Sequence, residues 1–348
     1  MGGREPARRA DGGNGGVDPV EVAEIRAALE RYDKISSFAA APPEPPALPD
    51  LRKAVDHAWM TFQHSSYARL AKTLPKLIRD AQAADASIGG SAAPAGERGP
   101  AHLLAEVYLI ASSTLHKLGE HDLAWLAADR AAMICKGLGE ELLAALAAER
   151  VAGALNSLGR TRPALEISLG IANQVVPRTD KDATPQRLSV YGMSLLQGAM
   201  AAARLGDAAM VRELLAVAEE AAAQVGDENF YWTAFGPTNV AFYRVAAEVE
   251  LGEAARALAT HQGIDPEGFA AMMPERRASY LLNLARAYAQ IGDLPRAGEV
   301  LMEAHRVAPN EIRCRPEAQG LVAELVRRCR TPAPGVLGLM DQIGRTAA

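Results

Sequence analysis

Residues 278–309 read ASYLLNLARAYAQIGDLPRAGEVLMEAHRVAP, and this stretch decides the fold. Leu281, Leu284, Ala285 and Tyr288 recur at three- and four-residue steps, the period of one helix face. Gly292 follows, where a left-handed residue ends a helix at no steric cost. Asp293 comes next, and a negative charge suits the N-terminus of a second helix. Ala297, Leu301 and Ala304 mark the inner face of that helix, small enough for close approach. Pro309 closes the unit.

The same turn recurs upstream. Leu118-Gly119-Glu120, Leu158-Gly159-Arg160, Leu205-Gly206-Asp207 and Leu251-Gly252-Glu253 each precede an Ala-rich segment. With Gly292, the glycines are spaced 40, 47, 46 and 40 residues apart. A period of this length denotes helix–turn–helix units stacked into a solenoid. A degenerate first unit is expected from Asp50 to Ala84, with its turn at Ser65-Ser66 and a kink at Pro75. The unit at Gly252 has a short second helix, broken near Gly263 and Pro266.

The flanks differ in composition. Residues 1–17 are Gly-rich and read as a disordered tail. Residues 18–38 hold a linker helix, with Asp18 as cap, Pro19 in the first turn, and Val22, Ile25, Leu29 and Tyr32 on one face. Five prolines between positions 39 and 49 make a semi-rigid spacer. A second low-structure stretch runs from Ser87 to Pro100. Residues 50–330 form the repeat domain, and 331–348 a C-terminal tail.

On these residues the chain resembles the tetratricopeptide repeat family. Residues 278–309 fit its pattern nearly position by position. The unit at Gly119 also fits, through Tyr108, Leu115, Ala124, Ala128 and Ala131. The expected fold is therefore all-α, a right-handed α-solenoid of tetratricopeptide-like helix-turn-helix repeats. A narrower resemblance rests on Phe235-Gly236-Pro237-Thr238-Asn239-Val240, Arg244-Val245, and the series Trp59, Phe62-Gln63, Tyr67, Leu70, Leu74-Pro75. These look like the C-terminal sensor region of actinobacterial XRE-type helix-turn-helix regulators. Such regulators carry a DNA-binding domain ahead of the first helix, and this sequence shows none there. The resemblance thus implies a sensor half without its DNA-reading half. Either the protein acts without DNA contact, or the true start lies upstream.

Composition agrees with a binding protein and excludes several classes. The chain has 348 residues and a net charge of −5, so no basic face for duplex binding by this chain alone is expected. No run of 18 apolar residues occurs, so no membrane span is expected, and the location is read as cytoplasmic. Cys135, Cys314 and Cys329 form no CxxC pair. No phosphate loop, GxSxG or HExxH motif is present, so neither an enzyme nor a cofactor is expected. His116 and His121 fall five apart across a helix end and are not expected to share a face for a metal. Arg276-Arg277 and Arg327-Arg328 read as solvated charge.

A solenoid lines its concave face with the first helix of each unit. Repeat phase places Arg150, Asn156, Gln197, Asn239, Tyr243, Asn283 and Arg286 on or near that face. An Asn amide both donates and accepts, and an Arg fork suits a carboxylate. Trp232 joins these candidates, within the aromatic run 229–235, which makes either a core plug or a pocket wall. The ligand expected is a peptide, a small signal or a partner protein. The alternative is a constitutive interaction scaffold without a signal ligand. The oligomeric state stays open, a homodimer among the options.

Overall fold

The computed structural model describes residue 17 and residues 19–30, 44–87 and 98–346. The tail through 16, Asp18, Tyr32, spacer residues 39–43 and the loop at 88–97 lie outside the described residues.

Within the described residues every regular element is helical. The series begins with α1 (Pro19–Glu30), α2 (Leu48–Gln63), α3 (Tyr67–Ser87), α4 (Pro100–Lys117), α5 (His121–Leu138) and α6 (Glu141–Ser157). It continues with α7 (Thr161–Val175), α8 (Pro185–Arg204), α9 (Ala208–Val225), α10 (Pro237–Glu250), α11 (Ala254–Gln262) and α12 (Pro266–Ala271). It ends with α13 (Pro274–Gln290), α14 (Leu294–Val307), α15 (Pro309–Arg313), α16 (Pro316–Arg328) and α17 (Pro334–Thr346).

The glycine turns share one geometry. Gly119, Gly159, Gly206, Gly252 and Gly292 have φ of +82°, +75°, +77°, +76° and +85°. In each turn the residue after the glycine donates its backbone N–H to the carbonyl five residues back. The pairs are Glu120 to Leu115, Arg160 to Leu155, Asp207 to Ala202, Glu253 to Glu248 and Asp293 to Tyr288. This six-to-one bond closes the first helix and aims the chain back along it. Asp207 and Asp293 then cap α9 and α14 by accepting from Met210 and Arg296 backbone N–H groups at 3.0 and 3.1 Å.

Two sequence expectations shift. Leu48 and Pro49, counted with the spacer, open α2, because proline is tolerated in a first turn. The segment read as a C-terminal tail contains α17, whose Val336 and Leu339 are buried against α14, α15 and α16.

The helices pair as α2·α3, α4·α5, α6·α7, α8·α9, α10·α11 and α13·α14. The first helices of these pairs also touch in succession, α2·α4, α4·α6, α6·α8, α8·α10 and α10·α13. The cycle then closes, because α13 contacts α2. Ala127, Ala128, Ala131, Ala199, Ala202, Ala285 and Ala297 sit fully buried at helix crossings, where side chains of this size permit close approach.

Candidate functional site

The cycle of first helices lines a cavity of about 220 Å³ that is open to solvent on one side. Of the eight candidates from the sequence, seven line it: Arg150 and Asn156 from α6, Gln197 from α8, Asn239 and Tyr243 from α10, and Asn283 and Arg286 from α13. Beside the short α11, α13 packs on both α10 and α11.

Trp232 is not among the lining residues. It stacks on Trp59 of α2, ring centroids 6.1 Å apart and planes 13° apart, so it fastens the ring from outside the cavity. The aromatic run divides its work accordingly. Phe235 is fully buried and lies over Gly192, where even a Cβ would come within 1.9 Å of its ring. Gly236 runs extended, pressed against the Asp227 carboxylate. That carboxylate accepts from the Thr238 backbone N–H at 3.0 Å and its hydroxyl at 2.6 Å, capping α10.

Between them the chain is strained. Tyr231, Trp232 and Ala234 have φ of +52°, +60° and +49°, each costing about 1–3 kcal/mol in the left-handed region. A cross-chain amide pair compensates. Asn229 donates to Gln63 at 3.0 Å, and its Oδ1 accepts from Gln63 Nε2 and from the Ala234 backbone, both at 3.1 Å.

Charge is concentrated around the cavity. Lys117, Arg150, Arg204, Arg276, Arg286 and Arg315 line it, against Glu149, Glu250, Glu275 and Glu317, two more cations than carboxylates. The chain as a whole carries −5. Sequence reading took Arg276 as solvated. Its Nε instead lies 3.4 Å from Glu275, itself almost wholly buried. Lys117 bridges Glu275 and Glu311, and Arg315 meets Glu311 at 3.2 Å and Ser279 at 2.7 Å. Burial opposes ionisation of Glu275, but Arg276 and Lys117 outweigh it and hold its carboxyl below the usual range. Arg286 and Arg204 clasp the two oxygens of Glu250 at 3.1 and 3.2 Å.

The polar candidates differ in how far they are satisfied. Gln197 donates to the Tyr243 hydroxyl at 3.2 Å. Burial raises the Tyr243 phenol pKa, with Arg276 opposing and Glu149 adding to the rise. Asn283 donates to the Ser279 carbonyl and accepts from Arg286 at 3.1 Å. Asn239 is 0% exposed, with its amide N 3.8 Å from Met193 Sδ. Asn239 Oδ1, Asn156 Oδ1 and Glu149 Oε2 have no hydrogen-bond partner. Buried acceptors without donors are uncommon and costly, about 1–3 kcal/mol each.

His116 and His121, on two successive helices, meet across the turn between them. Their rings lie 5.5 Å apart, because the Gly119 turn lays the start of α5 against the end of α4. Burial first, then Lys117 and Arg315, lower the His116 pKa to about 3, so it is neutral at ordinary pH. Among the described residues no group of three or more His, Cys, Asp or Glu side chains is arranged to hold a metal ion, and no helix is long and apolar enough to cross a membrane.

No family model, no curated protein and no solved structure matches this chain.

Proposed function

We propose that this chain is a ligand-binding regulatory protein built as a tetratricopeptide-like α-solenoid, the sensor part of a transcriptional regulator of the XRE type, acting in the cytoplasm. It takes a small signal or the end of a peptide or partner into its central cavity. Binding there favours the closed arrangement of the helices and so reports the ligand to the rest of an assembly. The observation that carries this reading is the pocket ringed by the first helices, whose lining residues include Glu149, Asn156 and Asn239, each with a buried acceptor that lacks a partner. A protein selected only for stability would not retain such groups, since each costs free energy.

The test is ligand-dependent thermal stabilisation. Gly153 lines the cavity, and a Cβ there meets nothing within 4 Å, so the side chain of Gly153→Met starts into open space. A small-molecule extract of cells should raise the melting temperature of the parent chain and leave Gly153→Met unmoved. An equal rise in both, or none in either, defeats the proposal and favours a scaffold without a signal ligand.

A further inference from the structure

Resting on the cavity-binding reading above, we infer that residues 229–235 form a strained strap with two positions, and that filling the cavity favours the fastened one. The strap carries the state of the cavity to α2, and so to the first helix pair.

The strap lies outside the repeat order. It joins α9 to α10 in sequence, yet side chains of α2 hold it. Asn229 and Gln63 exchange amide hydrogen bonds at 3.0 and 3.1 Å across 166 positions. Gln63 Nε2 also donates to the Trp232 carbonyl at 3.2 Å. The Trp232 ring lies flat on Trp59. The contact of α13 with α2 and the bond from Tyr67 to Glu311 close the ring separately, so a released strap leaves it joined there.

Strain is concentrated in this stretch. Three of the four non-glycine residues with positive φ among the described residues are Tyr231, Trp232 and Ala234. None belongs to the types that take the left-handed region readily, glycine, asparagine and aspartate. Such a backbone persists only where its surroundings enforce it. Here much of the enforcement comes from Gln63 and Trp59. Without them the backbone relaxes, which gives the strap a second position.

Both anchors of the strap reach the cavity wall. Arg276 of α13 lines the cavity, and its Nη2 donates to the Thr233 carbonyl at 3.4 Å. Phe62 of α2 lines it too, and stands edge-on to Trp59 with ring centroids 6.2 Å apart. Gln63 is the next residue in α2. A ligand that steadies Arg276 and Phe62 therefore steadies what holds the strap. Differential contact of this kind shifts a two-state equilibrium, and the coupling is reciprocal.

The strap also holds its own reporters. The backbone N–H groups of Trp232, Thr233, Ala234 and Phe235 bond within it, to the Asn229 and Phe230 carbonyls, Asn229 Oδ1 and Thr233 Oγ1. These amides exchange with deuterium when the strap opens.

The experiment is hydrogen–deuterium exchange read by mass spectrometry on the full 348-residue chain. In the parent, the strap amides should exchange about tenfold faster or more than amides midway along α8 and α10. Gln63→Leu removes the amide pair and should speed them about tenfold further. Ala234→Gly relieves one left-handed residue, and added to Gln63→Leu it should restore most of that protection. Neither Gln63 nor Ala234 lines the cavity. The small-molecule extract of cells should slow the strap amides of the parent several-fold. Gln63→Leu should need several times more extract for the same rise in melting temperature, and Ala234→Gly should reverse that need.

Strap amides that exchange no faster than those of α8 and α10 make the segment a fixed brace and overturn the inference. Strap exchange unmoved by extract that raises the melting temperature also overturns it, and leaves the proposed function standing. An extract requirement unchanged in Gln63→Leu separates strap from cavity, with the same result. No melting shift in the parent defeats the cavity-binding reading and the inference together. If Gln63→Leu does not fold, Ala234→Gly alone decides: it should slow the strap amides about threefold or more, and unchanged exchange overturns the inference.

Discussion

Tyr67, at the start of α3, donates its hydroxyl hydrogen bond to Glu311 of α15 at 3.0 Å, across 244 positions of sequence. Both side chains are fully buried. Burial first, then Glu311 and Glu275, raise the Tyr67 pKa well above its ordinary value, so the phenol keeps the proton it donates. Lys117 and Arg315 complete the cluster around Glu311. Tyr67 of α3 and Lys117 of α4 are thus tied to the far end of the chain, Tyr67 by a hydrogen bond to Glu311 and Lys117 by ion pairs to Glu275 of α13 and Glu311 of α15.

This junction gives a stability prediction. Glu311→Gln leaves Lys117 and Arg315 short of their common anion, and removing one member of a buried ion cluster costs about 3–5 kcal/mol. Tyr67→Phe removes only one hydrogen bond to a charged group, about 1–3 kcal/mol. Urea denaturation at neutral pH should rank the two in that order. If Glu311→Gln costs no more than Tyr67→Phe, the charge cluster does not hold the ring shut.

Acid should act through His116. Its folded pKa of about 3 lies below the ordinary 6.5, so the folded state binds the proton less readily than the unfolded chain. At pH above 6.5 both states are neutral and His116 contributes nothing; as pH falls from 6.5 toward about 3, only the unfolded chain gains the proton and stability drops. His116→Gln removes this term. Thermal melts between pH 7 and 4.5 should show a smaller acid loss in the variant than in the parent. Parallel curves would rule out a buried neutral His116.

The repeat turns differ in their tolerance. At Gly292 the φ is +85° and a Cβ would meet nothing within 4 Å, so Gly292→Val suffers backbone strain alone, about 1–3 kcal/mol. Gly119 has the same conformation, but a Cβ would come 2.6 Å from Pro316 Cγ. Gly119→Ala should therefore cost more than Gly292→Ala in paired melting experiments. Equal losses would mean that α16 yields without penalty.

Gly192 makes a sharper case. A methyl there would strike the Phe235 ring at 1.9 Å, and overpacking of this kind costs about 1–3 kcal/mol or more. Gly192→Ala should destabilise, and adding Phe235→Leu should restore part of the loss. A double mutant showing the simple sum of two losses would separate the two sites energetically.

Local chemistry made the turns legible. A glycine with φ near +80° writes itself into sequence because few other residues accept that conformation. The inward face was legible through repeat phase, which brought Arg150, Asn156, Gln197, Asn239, Tyr243, Asn283 and Arg286 to one cavity. Phase alone did not reveal that Asn239 would be wholly covered. Trp232 escaped because left-handed residues at 231 and 232 redirect the chain, and its partner Trp59 lies far away in sequence. The buried charges were hidden for a related reason. Lys117 and Glu311 are 194 positions apart, and each alone reads as a solvated residue. Helix α17 was missed because Gly335, Gly338 and Gly344 depress its intrinsic helicity; packing of Val336 and Leu339 overrides that local preference.

The contact between α13 and α2 also bears on how such a chain can change over time. An open row of repeats is quasi-one-dimensional, so a unit gained or lost merely lengthens or shortens it. A row whose ends must meet has a fixed circumference. Duplicating one helix pair would carry Glu311 away from Tyr67 and Lys117, and deleting one would drive them past each other. Descendants of this chain are therefore held to its number of units, and their variation is confined to side chains, to the lengths of the outer turns, and to what lies beyond α1 and α17.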